Sequence, residues 1–169
     1  TIGAAWGDHG QGATCGVLGT AHEALRPYGI DVDRIHYIMN DSSKTPPAGP
    51  AGGSRSQVMV GNAIRVSCEM LLAAMKKPEG WYTRAEMLEK GLNPKQEGTW
   101  TAPCKPCSSD TGKGEPFCCY MYGLFLAEVS VDVKTGKTRC DRLVCSCDIG
   151  KINNRLIVDG QISGGMAQG

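Results

Sequence analysis

Apolar residues recur at the three-to-four-residue spacing of an α-helix in two stretches of the chain, residues 13–25 and residues 54–77. Proline follows each stretch, at Pro27 and at Pro78, and proline cannot continue a helix. Residues 83–90 predict a third, shorter helix. The two long apolar stripes, which we expect to face a core, consist of Val17, Leu18, Ala21, Ala24, Leu25, Val58, Ile64, Cys68, Leu71, Leu72 and Met75.

Alternating or continuous apolar residues predict four strands, at residues 1–8, 33–40, 120–132 and 139–148. A polar segment that contains a glycine joins the last two strands, which is typical of a hairpin. Residues 91–117 carry four prolines and no periodicity, and they therefore predict a surface insertion. Together these elements predict an α+β fold with mixed sheets.

Glycine-rich segments precede the predicted helices. Residues 9–12, the first glycine turn, lead into the first helix, and residues 45–57, which we call the bare loop, hold three glycines and three prolines before the second. Residues 159–161 form a third glycine turn before a final helical segment. Such loops expose backbone N–H groups, and a helix N-terminus favours an anion such as phosphate. The alternative interpretation of the bare loop is a connector that ends in a serine cap.

Charge and hydropathy narrow the range of partners. The chain has 18 Lys and Arg residues against 17 Asp and Glu residues, and this near balance argues against nucleic acid or an anionic membrane as the main partner. No apolar run approaches the roughly 18 residues that a membrane span needs.

Nine cysteines without a secretory signal predict reduced thiols and a cytoplasmic protein. Cys104 and Cys107 have the spacing of metal ligands and residues 118–119 are also cysteines, so a small cysteine-based metal-binding domain is an alternative. Cys145 and Cys147 alternate within a predicted strand. Their side chains therefore lie on one face, which we expect to face the core.

Both ends of the sequence are unusual for an independent domain. The chain starts in an apolar segment at Thr1 without a methionine, and it stops inside a glycine-rich segment at Gly169. Because natural termini usually trail off at the surface, we expect this sequence to be part of a longer polypeptide.

Three segments together resemble the molybdenum-cofactor domain of the xanthine oxidase family of molybdenum hydroxylases, and most closely that family's aldehyde oxidoreductases. They are residues 9–12, residues 47–57 with the helix that follows, and residues 148–169. The resemblance implies that residues 1–169 are part of the large molybdopterin-binding domain. It also implies an enzyme that oxidises aldehydes to carboxylic acids with water as the oxygen source.

The implied cofactor is a molybdopterin cytosine dinucleotide that carries molybdenum. The residues that match the family's cofactor contacts are His9, Gly10, Gln11, Gly49, Pro50, Ala51, Gly52, Gly53, Ser54, Asn153 and Gln161. Ala48 matches a small residue close to the substrate. In the family, the catalytic glutamate and two [2Fe–2S] clusters lie outside the matching residues. No catalytic residue or metal ligand is therefore assigned, and we expect the isolated chain to be inactive.

The resemblance also implies a set of partners. These are a small aldehyde substrate, an external electron acceptor, the rest of the polypeptide and a second copy in a homodimer, with no nucleic acid and no membrane. The alternative from a different functional class is a module that binds the cofactor without catalysis.

Overall fold

The computed structural model describes all residues from Thr1 to Gly169, in two compact units, Thr1–Ala102 and Pro103–Gly169, which are described separately. The first unit contains strand β1 (Ile2–Ala4), helix α1 (Ala13–Ala24), strand β2 (Tyr37–Met39), helix α2 (Arg55–Met75) and helix α3 (Arg84–Glu89), with 3₁₀ helices at Arg26–Tyr28 and Val32–Arg34. The second unit contains strand β3 (Tyr122–Val131), strand β4 (Thr138–Asp148) and helix α4 (Arg155–Gln168). The α+β prediction is confirmed.

Strands β1 and β2 pair in parallel, with Ile2 opposite Tyr37 and Ala4 opposite Met39. Both strands are shorter than the pattern predicts. In the predicted strand 33–40, the first residues instead form a 3₁₀ helix, because the carbonyl of Asp31 accepts a hydrogen bond from the N–H of Arg34 at 3.0 Å. A backbone bonded locally in this way cannot join a strand ladder.

The core of the first unit lies where α1, α2 and the strand pair meet. Its buried members are Ala4, Trp6, Ala13, Val17, Ala21, Ile35, Val60, Ile64 and Cys68. A Cβ atom at Gly16 would lie 2.9 Å from the Trp6 ring, so only glycine allows this approach of α1 to the strand. The helical stripes predicted from the sequence therefore do supply the core.

Helix α2 is the one helix whose length and composition would allow it to cross a membrane, with a mean hydropathy of 1.4 over an 18-residue window. The sequence pattern did not indicate such a segment, because Arg65 and Glu69 interrupt it. These two side chains form an ion pair at 2.7 Å, and Ile64 and Cys68 are buried in the core. A single helix of this kind is a weak indication of a span, since core helices of soluble proteins pass the same test.

Helix α3 begins with a capping box. The Oγ1 of Thr83 accepts a hydrogen bond from the N–H of Glu86 at 3.3 Å, and Oε2 of Glu86 accepts one from the N–H of Thr83 at 2.6 Å. The Thr83 N–H, with Lys77 Nζ at 3.1 Å, lowers the pKa of Glu86 to about 2. The glutamate is thus ionised at neutral pH.

In the second unit, β3 and β4 form an antiparallel hairpin that runs from the pair Tyr122 and Asp148 to the pair Val131 and Thr138, with an irregularity at Glu128/Val129. Residues 103–118 are irregular apart from one antiparallel bridge, between Lys105 and Glu115. No residue of this unit is buried, and every residue of β3 is exposed.

Two sequence predictions for the second unit are wrong. Cys145 and Cys147 do share a face of β4, but they are only half-buried, because the hairpin has no core of its own. Residues 159–161 do not form a turn before a helix: α4 already begins at Arg155 and continues through Gly160. Its start is fixed earlier because Oδ1 of Asn154 accepts a hydrogen bond from the N–H of Ile157 at 3.2 Å.

Candidate functional site

Two loops of the first unit meet at one edge of the parallel strand pair. The chain passes from β1 through the first glycine turn into α1, and from β2 through the bare loop into α2. Parallel strands bring their carboxyl ends to the same edge, which is where open α/β sheets bind ligands. A Cβ atom at Gly7 would lie 3.0 Å from the Cβ of Ala51, so the two loops are in contact.

Asn40 holds the two strand ends together. Its Oδ1 accepts a hydrogen bond from the N–H of Trp6 at 3.0 Å, and its Nδ2 donates one to the carbonyl of Trp6 at 3.1 Å. Asn40 adopts a left-handed φ of 58°, which asparagine tolerates better than most residues. The sequence analysis placed residue 40 at the end of a predicted strand and missed this role.

The N-terminus of α1 is already occupied by a carboxylate of the same chain. Asp8 accepts hydrogen bonds from the N–H groups of Gly10 at 2.8 Å, Ala13 at 2.9 Å and Gly12 at 3.4 Å. These bonds, the one from Gly10 foremost, hold the pKa of Asp8 below its usual range. An anion of a ligand therefore finds these amides already satisfied. Sequence analysis missed Asp8, although an aspartate just before a glycine turn and a helix is a typical capping signal.

Gln11 folds back onto its own turn. Its Oε1 accepts a hydrogen bond from the N–H of His9, and its Nε2 donates one to the carbonyl of Gly7. Gly10 has a φ of 97° and no atom within 4 Å of the position a Cβ would take. His9, Gly10 and Gln11 therefore lie together in a braced turn whose outer side is open.

The N-terminus of α2 differs because nothing in the chain caps it. Ser54 has a left-handed φ of 57° and makes no capping hydrogen bond with its side chain. In this turn the N–H of Arg55 donates to the carbonyl of Gly52 at 3.0 Å, and that of Val58 to the carbonyl of Ser54 at 3.4 Å. The N–H groups of Ser56 and Gln57 have no such bond. These amides and the helix dipole create a positive potential there.

Arg55 fixes the shape of the bare loop from one side. Its guanidinium donates to the carbonyl of Ala48 and, at 3.5 Å, to that of Pro50, and it lies 3.4 Å from where a Cβ at Gly49 would be. Gly53 has a φ of 58° with no atom near its Cβ position. The predicted residues 48–54 thus lie in one loop, and the carbonyls of Ala48 and Pro50 in it are bonded to Arg55. Sequence analysis missed Arg55, although it is the only charged residue of the loop.

A surface cavity of about 370 Å³ lies beside this loop. It is lined by Ala5, Asn40, Ser42, Thr45, Pro46 and Pro47. None of the residues predicted to bind the cofactor lines it, although Ala48 directly follows its last wall residue along the chain.

The remaining predicted residues belong to the second unit. Asn153 directly precedes the cap of α4, and Gln161 lies exposed in the middle of that helix. Partial burial and a hydrogen bond with Cys118 raise the pKa of Cys104. However, the structure holds no group of three or more His, Cys, Asp or Glu side chains that could bind a metal ion. The alternative of a cysteine-based metal domain therefore has no ligand set here.

Comparison with known sequences assigns this chain to a family. The sequence profile of the molybdopterin cofactor-binding domain matches residues 1–169, the whole chain. The chain belongs to this family. The resemblance to this family is thereby confirmed.

Relatives of this molybdopterin cofactor-binding domain are enzymes with longer chains. It is 52% identical to the aldehyde oxidoreductase of Megalodesulfovibrio gigas, over 100% of this chain and 19% of that one. It is 28% identical to mouse xanthine dehydrogenase/oxidase, over 95% of this chain and 12% of that one. The crystal structure of the aldehyde oxidoreductase from Desulfovibrio desulfuricans superposes with a TM-score of 0.93 at 62% identity, over 98% of this chain and 18% of that one. The chain thus spans about a fifth of these two aldehyde oxidoreductases.

The residues present fit a phosphate-containing cofactor. At Gly52 and Gly53 no atom lies within 4 Å of a Cβ position, so a flat, bulky group can approach the backbone closely. The unbonded amides of Ser56 and Gln57 adjoin this open surface, and such amides bind phosphate oxygens.

Proposed function

We propose that this chain holds a molybdopterin cytosine dinucleotide within an aldehyde oxidoreductase. The complete protein would oxidise small aldehydes to carboxylic acids with water as oxygen source, and pass electrons through two [2Fe–2S] clusters to an external acceptor. We further propose that it acts as a cytoplasmic homodimer. The observation that carries the proposal is the uncapped start of α2 beside the bare loop, in a chain that belongs to the molybdopterin-binding family.

The two loops of the first unit have different roles in this proposal. The amides of Ser56 and Gln57 bind a phosphate of the cofactor, because no side chain caps the start of α2, whereas the Asp8 carboxylate caps the start of α1. Residues 49–54 contact the cofactor through their backbone, and Arg55 keeps the loop carbonyls turned away from the phosphates. The braced turn of His9, Gly10 and Gln11 contacts the cofactor from the side of α1.

The chemistry of the proposed reaction is divided between this chain and the rest of the protein. When bound, the cofactor supplies the molybdenum that takes up the two electrons of aldehyde oxidation. Ala48 limits the space for the substrate, and Asn153 and Gln161 contribute further cofactor contacts. Asp8 is a weak base, because hydrogen bonds from three amides lower its pKa and occupy its carboxylate. The resemblance to the family implies that the catalytic base is a glutamate outside these residues.

A proline substitution tests the amide contact directly. Gln57→Pro in the complete protein removes one amide hydrogen, and proline in the first turn of a helix breaks no intrahelical bond. Gln57→Ala is the matched control, because it removes the same side chain and keeps the amide. A phosphate hydrogen bond is worth about 1.5–3 kcal/mol, so Gln57→Pro should weaken cofactor retention roughly 10- to 100-fold.

The readouts are the molybdenum content per protomer and the nucleotide released on acid hydrolysis. Cytidine monophosphate should be released by wild type and Gln57→Ala, and largely lost from Gln57→Pro. Equal molybdenum in both variants would contradict the amide contact, and guanosine or no nucleotide would contradict the cytosine form. Retained cofactor without aldehyde turnover in the wild-type protein would favour the non-catalytic module.

A further inference from the structure

Two thiols of the second unit lie in direct contact. The Sγ atoms of Cys145 and Cys147 are 3.1 Å apart, on the same face of β4 near its end. The proposed oxidation of aldehydes uses neither of them. Both side chains are half-buried, and neither sulfur belongs to a group that could bind a metal ion.

Strand β3, which pairs with β4, leaves space next to Cys145 and Cys147. Cys147 pairs with Gly123 and Cys145 pairs with Phe125 across the hairpin. A Cβ atom at Gly123 would lie 3.3 Å from the Cys147 sulfur and 3.0 Å from the Phe125 ring. The side chains of Cys147 and Phe125 therefore lie next to the space that a side chain at position 123 would occupy. The ladder ends one pair further on, at Tyr122 and Asp148, where a local change of the strand disturbs few hydrogen bonds.

The two sulfurs interact directly. The hydrogen bond with Cys147, together with partial burial, raises the pKa of the Cys145 thiol. Either sulfur can donate this hydrogen bond. Two thiols in contact are the arrangement of an attacking and a resolving cysteine.

We propose that Cys145 and Cys147 form a redox-active dithiol that reacts reversibly with small-molecule disulfides. The thiolate of one of the two cysteines attacks one sulfur of the small disulfide, which releases one thiol and leaves a mixed disulfide. The other cysteine then loses its proton and attacks the protein sulfur of the mixed disulfide, which forms the Cys145–Cys147 bond and releases the second thiol. The protein loses two electrons and two protons, and the small disulfide gains them as two thiols.

The strand geometry predicts that this disulfide is easily reduced. Residues two apart on a strand have Cα atoms about 6.6–6.8 Å apart, whereas disulfides prefer about 5.5–6 Å. Closing the ring must therefore shorten the strand locally, and strained disulfides are the labile ones. The site is accordingly a reversible modification and not a structural crosslink.

The test uses the complete protein in anaerobic buffers of reduced and oxidised glutathione at several ratios. The reaction is quenched with acid, free thiols are alkylated, and the protein is digested with trypsin. Cleavage after Arg142 and Lys151 gives a peptide, residues 143–151, whose only cysteines are Cys145 and Cys147. Cys140 falls in a separate peptide and provides an internal control, since it pairs with Val129 further along the hairpin and its thiol bonds to the carbonyl of Arg142 at 3.8 Å.

The proposal predicts that peptide 143–151 becomes two hydrogen masses lighter and resists alkylation as oxidised glutathione increases, and that dithiothreitol reverses this. In Cys145→Ser, the glutathione adduct at Cys147 should accumulate roughly tenfold or more above wild type, because ring closure no longer removes it. Cys140→Ser should behave as wild type. Two alkylated cysteines at every ratio, or two glutathione adducts without ring closure, would overturn the proposal. The result does not depend on whether molybdopterin is bound, so it can fail separately from the proposed function.

Discussion

The two units of the chain acquire their structure in different ways. In the first unit, α1 and α2 bury a continuous core in which Val17 is fully buried and Ile64 is 4% exposed. In the second unit no residue is buried, and both faces of the hairpin are apolar and open, with Leu124 72% and Phe125 63% exposed on opposite faces. A two-stranded hairpin alone is at best marginally stable in water. Burial therefore stabilises the first unit, whereas the second unit has little buried surface to stabilise it.

Hydrogen exchange on the 169-residue chain should show the largest difference between the units. Amides of α1 and α2 should be protected up to the global stability of the first unit, whereas those of β3 and β4 should exchange near the rates of local opening. Mass spectrometry of peptic fragments measures both in one experiment. Equal protection of β4 and α2 would refute the comparison.

Shortening one apolar side chain in each unit should lower the free energy of unfolding by amounts that differ by several kcal/mol. Ile64→Ala removes a buried side chain and should cost about 2–5 kcal/mol, whereas Leu124→Ala in the same chain should cost little because its side chain is already in water. Chemical denaturation followed by circular dichroism checks both. If Leu124→Ala were as costly as Ile64→Ala in the chain alone, β3 would have a partner that the structure does not show.

Thiol reactivity should differ between Cys68 in the core of the first unit and Cys140 on the hairpin of the second. Burial raises the pKa of Cys68 to about 11, so at pH 8 its thiolate is scarce and alkylation should be slow. Cys140 is exposed and should be modified first. Raising the pH toward 11 should accelerate the reaction of Cys68, as followed by mass mapping. Rapid modification of Cys68 at pH 8 would show that the core opens readily.

Substitutions at helix caps should give the smallest change in stability. Thr83→Ala in the first unit should cost about 1 kcal/mol of global stability. Asn154→Ala, which removes the equivalent contact in the second unit, should only fray α4. Thermal melts give the first effect and exchange at the Ile157 amide gives the second. A loss of global stability from Asn154→Ala would contradict the separation of the units.

Glu86, the partner of Thr83 in the capping box, should make the stability of the first unit depend on pH. Since the folded pKa of Glu86 lies near 2, below its unfolded value, its stabilisation is complete above about pH 4.5 and is lost as pH falls through 2. Glu86→Gln should therefore lower the melting temperature at pH 7, with a difference from wild type that shrinks toward pH 2. A difference that stays constant with pH would rule out the charged contact.

The sequence predicted those parts of the fold that bury their own residues. The stripes through Val17 and Ile64 located α1 and α2 to within two residues, because burial imposes a helical period on the sequence. The hairpin was predicted from its alternation and turn. Cys145 and Cys147 were wrongly assigned to a core, because alternation gives a shared face and does not say whether anything covers it.

The candidate site was predicted only in outline. Glycine content located the first glycine turn and the bare loop, but it could not show that the Asp8 carboxylate caps one helix start while no side chain caps the other. That difference depends on which side chain reaches which amide, and this is set by the backbone conformation of each turn. The same limit explains why Gly160 was taken for a turn when the cap at Asn154 had already started the helix.

The central claim is that the open amides at the start of α2 bind the cofactor phosphate, and a crystal structure of the complete, cofactor-loaded protein tests it most directly. We predict a phosphate oxygen within hydrogen-bond distance of the N–H of Ser56 or Gln57, with the Asp8 carboxylate still bonded to Gly10 and Ala13. A cofactor whose phosphates lie elsewhere, with water on both of these amides, would contradict the account.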